Sequence, residues 1–506
     1  MDDPSASRPG FVTRLLQRAV DVKESEVRAL LWSCAYFFCL LSGYFILRPL
    51  REEVGIAGGM DKLAYLWTGT LCGMAVANPI FSFLVSRHPR RKFIPWVHRF
   101  FAANLILFYL LLRLFPEHKL YIGRGFYIWL SVFNLFVVSL FWGFMADIFK
   151  LDQGKRLFGF IGVGGTLGAI AGSWFTGTFV KQLGAPQLLL VSVVLLEASM
   201  QCFFRLIAMS TAREAREADR AAGSAASARL SAPALAAGPK DRPQGGAFSG
   251  IALVFKMPYL RGIGLYTIFY TLSAGFLYFW QGNIVTDAVK DSAERTALFA
   301  HIDLYVSSLT LLMQFFATGR IVVWLGITFT LVAQPVLTTL GFTTLGLTAF
   351  LPALPNGLAR AFEWVFGLEP HAAQLASARD PRLLLALCAV VIFQVLFRSV
   401  NQGTAKPARE MLYTVVDREV KYKSKSFIDT FVYRSGDLVA SWTFTFLHTP
   451  AMLGIGLTAI AFGTVPLGVL WLVTGLLLGR KQEEMARKEA VGAQVPEGRT
   501  AGDPIG

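Results

Sequence analysis

The stretch from Lys406 to Asp437 is dense in charge, yet it lies between two long apolar segments. Lys421, Lys423 and Lys425 alternate with other residues just ahead of an apolar segment that itself carries Asp429, Arg434 and Asp437. A charge inside a membrane span costs roughly 2.5–3.5 kcal/mol on insertion scales, so such residues face a partner or a wet cavity. Acids and bases crowded in this way outline a path for a charged solute. Further polar groups collect in three places. Arg48, Arg51, Glu52 and Glu53 bunch around Pro49 at the end of the first long apolar run. Lys155 and Arg156 stand between two later runs, and Gln281 follows a row of aromatic residues. Guanidinium and ammonium groups are natural partners of anionic oxygens. The six histidines show no HExxH or paired arrangement, and no Walker motif is present. No catalytic group, cofactor or metal site is therefore expected, and no enzyme activity.

The elements that must position these residues are helices. The chain has 506 residues, of which 54% are hydrophobic. Apolar runs of about 20 residues recur along it, each long enough to span a hydrocarbon layer. Twelve are expected, at about 27–47, 63–85, 93–115, 121–149, 157–180, 187–209, 259–285, 297–317, 327–350, 383–400, 427–447 and 453–478. The reading is an all-α polytopic membrane protein with twelve transmembrane helices in two six-helix bundles. Its parts are an amino-terminal segment (1–26), a first bundle (27–209), a linker (210–256), a second bundle (257–479) and a tail (480–506). The linker is rich in Ala, Ser, Arg and Pro and reads as flexible. Ala274 to Asn283 faintly echoes Ser42 to Arg48, a glycine followed by aromatics and then a polar residue. Six spans on either side of a linker, with such an echo, fit parallel repeats about an axis along the membrane normal.

The net charge of +15 raises nucleic acid as a partner, but the positive residues track the expected loops. Basic loops retained on the cytoplasmic side account for them, so no nucleic acid is expected. Arg8, Arg14, Arg18 and Lys23 precede the first span, and Arg87, Arg90, Arg91 and Lys92 fill the loop after the second. With the amino terminus inside, inner segments hold most of the Lys and Arg, which puts both termini and the linker in the cytoplasm. No apolar core precedes Val27, so no cleavable signal peptide is expected. Phe11, Leu15, Leu16 and Val22 share one face of an interfacial helix or a solvated cap. Residues 351–381 read as an outer loop with a surface-lying helix. Cys34, Cys39, Cys72, Cys202 and Cys388 all fall in apolar spans, as packing residues. Gly164, Gly168 and Gly172 recur every fourth residue, a stripe that lets helix backbones approach closely. Arg99, Asp147, Arg261, Asp303 and Arg398 are expected in ion pairs or snorkelling to the interface. Tyr44, Phe45, Tyr278 and Trp280 offer faces for stacking, though packing is their plainer role.

The charged stretches also resemble a family, the ATP/ADP translocases of plastids and intracellular bacteria. One match is Arg409, Glu410, Met411, Tyr413, Asp417, Glu419, Lys421, Lys423, Lys425, Ile428, Asp429, Arg434 and Gly436, at the family's spacing. A second runs from Lys155 and Arg156 into the glycine-rich opening of the fifth span. A third, Ser42 to Glu52, puts Arg51 where those proteins carry a lysine that handles nucleotide phosphate. The loop Arg87 to Lys92 is similar to the signature between spans two and three of major facilitator transporters. Ser86 and Pro89 stand there in place of the usual Asp and Gly. Neutral Leu130 and Asn134 lie where the translocases place a carboxylate.

The resemblance implies a monomeric secondary transporter in a bacterial inner membrane, working by alternating access on a nucleotide. It implies substrate contacts from Arg48, Arg51, Lys155, Arg156, Gln281, Lys421, Lys423, Lys425 and Arg434. Glu52, Asp147, Arg398, Glu410, Asp429 and Asp437 are expected to pair and break as gating or coupling groups. Two alternatives stay open: a proton-coupled transporter of another organic anion through Asp429 or Asp437, and a scaffold or sensor that moves no solute. Topology is testable without knowing the solute. A tag after Ala234 is expected to be labelled only once the cell membrane is permeabilised; labelling of intact cells reverses the orientation.

Overall fold

The computed structural model describes residues 22–87, 90–149, 151–227, 254–316, 318–352, 356–366, 368 and 381–494. The expected amino-terminal face at Phe11 to Leu16, most of the linker and the end of the tail lie outside these residues. The described residues form helices α1 (Glu24–Ala57), α2 (Met60–Arg87), α3 (Arg90–Leu114), α4 (Lys119–Ile148), α5 (Leu151–Leu183) and α6 (Ala185–Ser227). They continue with α7 (Pro258–Ala288), α8 (Ser292–Phe316), α9 (Thr318–Leu347), α10 (Asn356–Phe366), α11 (Pro381–Val400) and α12 (Lys406–Met411). The last are α13 (Arg418–Phe427), α14 (Tyr433–His448) and α15 (Leu457–Gln494). Two π turns, Asn401–Ala405 and Ile428–Val432, join α11 to α12 and α13 to α14.

Each of the twelve expected segments coincides with a helix, and no strand occurs among the described residues. Ten helices there are long and apolar enough to cross a membrane. The protein is an all-helical, multi-pass membrane protein.

Three elements differ from expectation. Pro49 does not end the first helix, which runs on to Ala57. Proline removes one backbone donor, a loss that membrane helices tolerate when neighbours re-satisfy the backbone. The carbonyl it leaves is that of Phe45; next to it the Thr176 hydroxyl of α5 donates to the Ile46 carbonyl at 3.3 Å and ties this turn to α5. The segment after 209 begins as helix, because α6 runs to Ser227 through a stretch rich in Ala, Arg and Glu, all good helix formers. The charges of 418–427 are likewise helical, and they feed through a π turn into α14.

By its contacts the chain divides into two compact units. The first comprises the described residues within Met1–Asp241, Gln281–Leu311 and Pro352–Val391. Its centre is aromatic. Phe37 stacks on Phe141 at 4.2 Å, and Tyr36 packs edge-on against Phe141 and Phe203. The glycine stripe of α5 lies on α1. A Cβ on Gly164, Gly168 or Gly172 would sit 2.8, 2.4 or 2.4 Å from the carbonyl oxygens of Cys34, Phe38 and Ser42. The Ser42 hydroxyl crosses the seam to the Gly168 carbonyl at 3.0 Å. α10 carries a strongly one-sided pattern: Phe362 and Phe366 are buried, while Leu358 and Trp364 are exposed. The Tyr305 hydroxyl of α8 donates to the Val365 carbonyl and docks α10.

The second unit comprises the described residues within Arg242–Trp280, Leu312–Leu351 and Ile392–Gly506. It repeats the small-residue device between α9 and α15. A Cβ on Gly468 or Gly479 would lie 2.6 or 2.5 Å from the Thr339 or Thr328 hydroxyl oxygen. α9 breaks at Gly326, whose φ of 77° is a left-handed value that glycine adopts freely. Tyr259 and Tyr266 tie α7 into the unit, donating to the carbonyls of Leu412 and Leu331 at 2.8 Å each.

The α1–α5 seam yields a stability test. Gly168→Leu forces apart two backbones in contact, and overpacking of this kind costs about 1–3 kcal/mol or more. The variant is expected to lose most of its folded protein on size-exclusion chromatography in detergent. Gly159→Leu, where a Cβ meets nothing within 4 Å, should elute as the unaltered protein does.

Candidate functional site

The helical path through Pro49 decides the geometry at the end of α1. Residues three and four apart share a helix face, so Arg48, Arg51 and Glu52 stand together. Arg48 donates to Asp303 of α8 at 2.8 Å and lies 4.0 Å from Glu52. Asp303 is only 2% exposed. Arg51 pairs with Glu52 at 3.1 Å and reaches the Tyr127 carbonyl of α4 at 3.4 Å. Its guanidinium lies 4.1 Å from the centre of the Tyr127 ring, a cation–π contact. On the next face, buried Glu53 pairs with Arg295 of α8 at 2.8 Å. Arg295 also caps the α7–α8 turn, donating to the carbonyls of Val289 and Lys290. Lys181 at the end of α5 lies 3.6 Å from Glu294. His301, about two turns further along α8, packs against Gly177 of α5. The first unit thus sets Glu294, Arg295 and Asp303 of α8 against Glu53 and Arg48 of α1 and Lys181 of α5 in three ion pairs, with Glu52, Arg51 and the Tyr127 ring beside Arg48.

The opposite end of α1 holds another pair. Glu26 is 7% exposed, accepts from Gln153 at 2.6 Å and pairs with Arg156 at 3.3 Å. Arg156 thereby ties α5 to the start of α1. Lys155 sits beside it on α5, and its side chain lies outside the described atoms, as does that of Lys423 on α13. Asp147 is exposed at the end of α4, and Gln281 is 3% exposed on α7.

In the second unit Arg409 and Tyr433 of the charged stretch lie against Tyr270 of α7. Glu410 pairs with Lys425, joining α12 to α13. Asp437 pairs with Arg434 at 3.5 Å within α14. Gly436 lets α14 cross α7 closely, since a Cβ there would collide with the Thr271 side chain. That crossing brings Tyr433 to 5.9 Å from the Tyr270 ring. Phe397 stacks on Tyr270 at 6.0 Å and 2°. The Arg409 guanidinium lies 4.8 Å from the Tyr270 ring centre, and Asn401 donates to the Tyr270 hydroxyl at 3.0 Å. Lys421 and Arg398 are half-buried, and Asp429 is exposed on the second π turn.

The structure therefore joins Arg48, Arg51 and Glu52 to one another, and Glu410 to Lys425. It sets Arg156 against Glu26. Trp280 is 2% exposed and donates to the Leu457 carbonyl, so its role is packing. Asp303 enters an ion pair, as expected of it, and turns out to belong to the Arg48 network. Glu53, Arg295, Tyr127, Tyr270, Asn401 and Arg409 are absent from the sequence-derived site. Arg409 carried a signal there as part of the family match; Tyr270 and Tyr127 carried none beyond being aromatic.

No curated protein matches the chain. Solved structures similar in fold include an auto-inhibited peptide transporter of the POT family, with TM-score 0.53 and 13% identity over 94% of this chain and 99% of that one. Another is a POT family transporter in complex with 5-aminolevulinic acid, with TM-score 0.50 and 11% identity over 90% of this chain and 96% of that one. At these identities the likeness is one of fold, that of major facilitator transporters. The sequence model of the TLC ATP/ADP transporters matches residues 125–480, which run from within α4 into α15. With more than half of its length matched, the chain belongs to the TLC ATP/ADP transporter family.

Proposed function

We propose that this nucleotide transporter exchanges ATP for ADP across a bacterial inner membrane by alternating access, without hydrolysing either. The observation that carries the reading is Arg51 at the end of α1, half-buried and backed by Tyr127, inside a chain of this family. Its planar fork fits phosphate oxygens bidentately. In the expected orientation, with both termini cytoplasmic, the Arg48–Asp303, Glu53–Arg295 and Lys181–Glu294 pairs lie at the outer end of their helices. They hold α1 and α5 against α8 and so form an outer gate. Incoming nucleotide competes with Glu52 and Asp303 for the two arginines, which couples binding to release of the gate. Lys155, Lys421, Lys423 and Lys425 supply cations at the inner end, and Arg156 is available when its Glu26 pair breaks. Asp437 is held by Arg434 at 3.5 Å. The transporter works as a monomer.

Uptake of labelled ATP into intact cells expressing the protein tests this. ATP entry stimulated by internal ADP is expected; uptake of another solute driven by a proton gradient, or no flux at all, removes the exchange reading. Arg51→Ala and Lys423→Ala are each expected to abolish uptake while the protein still reaches the membrane. Normal uptake in both takes those residues out of the site.

The gate has its own test. Removing one partner of a buried ion pair destabilises by about 3–5 kcal/mol. Asp303→Asn is therefore expected to shift the chain away from the closed outer end. A cysteine at Ala57, in a background lacking the native cysteines, should then react faster with an impermeant thiol reagent added outside. An unchanged labelling rate contradicts the gate.

A further inference from the structure

Deepening the exchange reading, we infer that Arg409 is an oxyanion-binding residue for the phosphate groups of the transported nucleotide, held in place by Tyr270 and Asn401. Arg409 is half-buried in the last turn of the membrane-length helix Arg382–Met411, past the first π turn. A half-buried guanidinium at a span's end calls for a counter-charge, a polarisable face or water. Yet among the described residues no carboxylate lies within 4.0 Å of it. Of the nearby acids, Glu410 is engaged with Lys425 and Asp437 with Arg434, while Asp429, exposed on the second π turn, acts on Arg409 only from beyond ion-pair distance. What holds Arg409 is an aromatic face, the Tyr270 ring at 4.8 Å. A ring quadrupole orients a cation without neutralising it, so the charge remains for a mobile anion.

Tyr270 is itself fixed. Phe397 stacks on it, and the Asn401 amide donates to its hydroxyl at 3.0 Å. Two buried polar atoms around this group have no partner, the Asn401 Oδ1 and the Tyr413 hydroxyl. Tyr413 is 3% exposed and lies four residues past Arg409. Buried polar atoms are nearly always satisfied, and an exception marks a group waiting for a ligand or water. The Tyr413 hydroxyl can donate to a phosphate oxygen, and the Asn401 Oδ1 can accept from a hydroxyl or amine. The π turns at Asn401–Ala405 and Ile428–Val432 flank the group on either side in sequence, and such turns are frequent at functional sites.

The test uses the full chain, with labelled ATP uptake in cells and inorganic pyrophosphate as a competitor. Arg409→Gln is expected to raise the ATP KM about tenfold or more and to abolish competition by pyrophosphate, with membrane abundance unchanged. Tyr270→Leu is expected to raise KM in the same direction, and Tyr270→Phe, which keeps the ring, to raise it less. If Arg409→Gln fails to reach the membrane, Arg409→Lys is read instead. An ammonium does not reproduce the planar fork, so a rise of about threefold or more is expected. An unchanged KM in whichever arginine variant is read overturns the inference. A second readout stands apart from transport. Pyrophosphate should raise the melting temperature of the purified unaltered protein and leave that of the arginine variant unmoved. Should the unaltered protein take up no ATP, the exchange reading fails, and this shift alone decides the role of Arg409. Equal shifts in both proteins, or none in either, sink it.

Discussion

An ionised group held in an apolar layer must meet an opposite charge, a polarisable face or water. The helix ends of this chain are arranged around that requirement. Asp303 is almost fully buried on α8, and Arg48 answers it from α1 at 2.8 Å. The pair sets the rest of its neighbourhood. α1 must stay helical through Pro49 for Arg48 to share a face with Arg51 and Glu52. The Gly164–Gly168–Gly172 stripe must bring α5 close enough for Ser42 and Thr176 to bond across the seam. Close packing by itself supplies contact; the ion pairs supply a reason for one particular register. Removing either partner leaves a buried charge alone, so the arrangement is stable as a whole and sensitive at any one point.

The same requirement is met differently in the second unit. Glu410–Lys425 and Arg434–Asp437 are local pairs, joining neighbouring helical segments or lying within one. Arg409 is met by the face of Tyr270. An ion pair spends the charge of an arginine on the protein, whereas a ring holds the arginine and leaves its field available to a solute. A transporter needs both kinds of cation. Paired ones hold a conformation until a substrate displaces the partner, and unpaired ones attract the substrate in the first place.

The type and rough extent of the helices were legible in the sequence, because hydrocarbon thickness demands long apolar runs and little else produces them. The glycine stripe on α5 was legible for a similar reason: a period of four has few explanations. Its partner surface was not, since the atoms it meets are the carbonyl oxygens of Cys34, Phe38 and Ser42, which every residue possesses. The counterpart on α15, Gly468 and Gly479, went unread because its spacing is irregular and Thr328 and Thr339 give no warning. Among the charges, Arg48, Arg51 and Glu52 were visible as a bunch. The identity of their partner was not, for Asp303 lies 255 residues away and one sequence carries no record of pairing. Arg156 shows the same limit from the other side. As a basic residue beside Lys155 it read as a substrate contact, while Glu26, the residue it meets, looked like ordinary polar chain before the first span.

Pro49 and the two π turns show why boundary reasoning fails where function concentrates. Local rules say that proline ends a helix and that a run of lysines belongs to a loop. Both rules rest on water being available to satisfy freed backbone groups and solvate the charges. Inside a bundle that water is scarce, and the cheaper solution is to keep the helix and adjust its register. A π turn inserts one extra residue and rotates everything after it by about 100°. Between α11 and α12 that rotation fixes which face carries Arg409 and Glu410; between α13 and α14 it does so for Arg434 and Asp437. A continuous α-helix over either stretch would present a different set of charges to Tyr270. The irregular turns are thus the structural means by which one charged stretch divides its residues between local ion pairs and the guanidinium left facing the aromatic group.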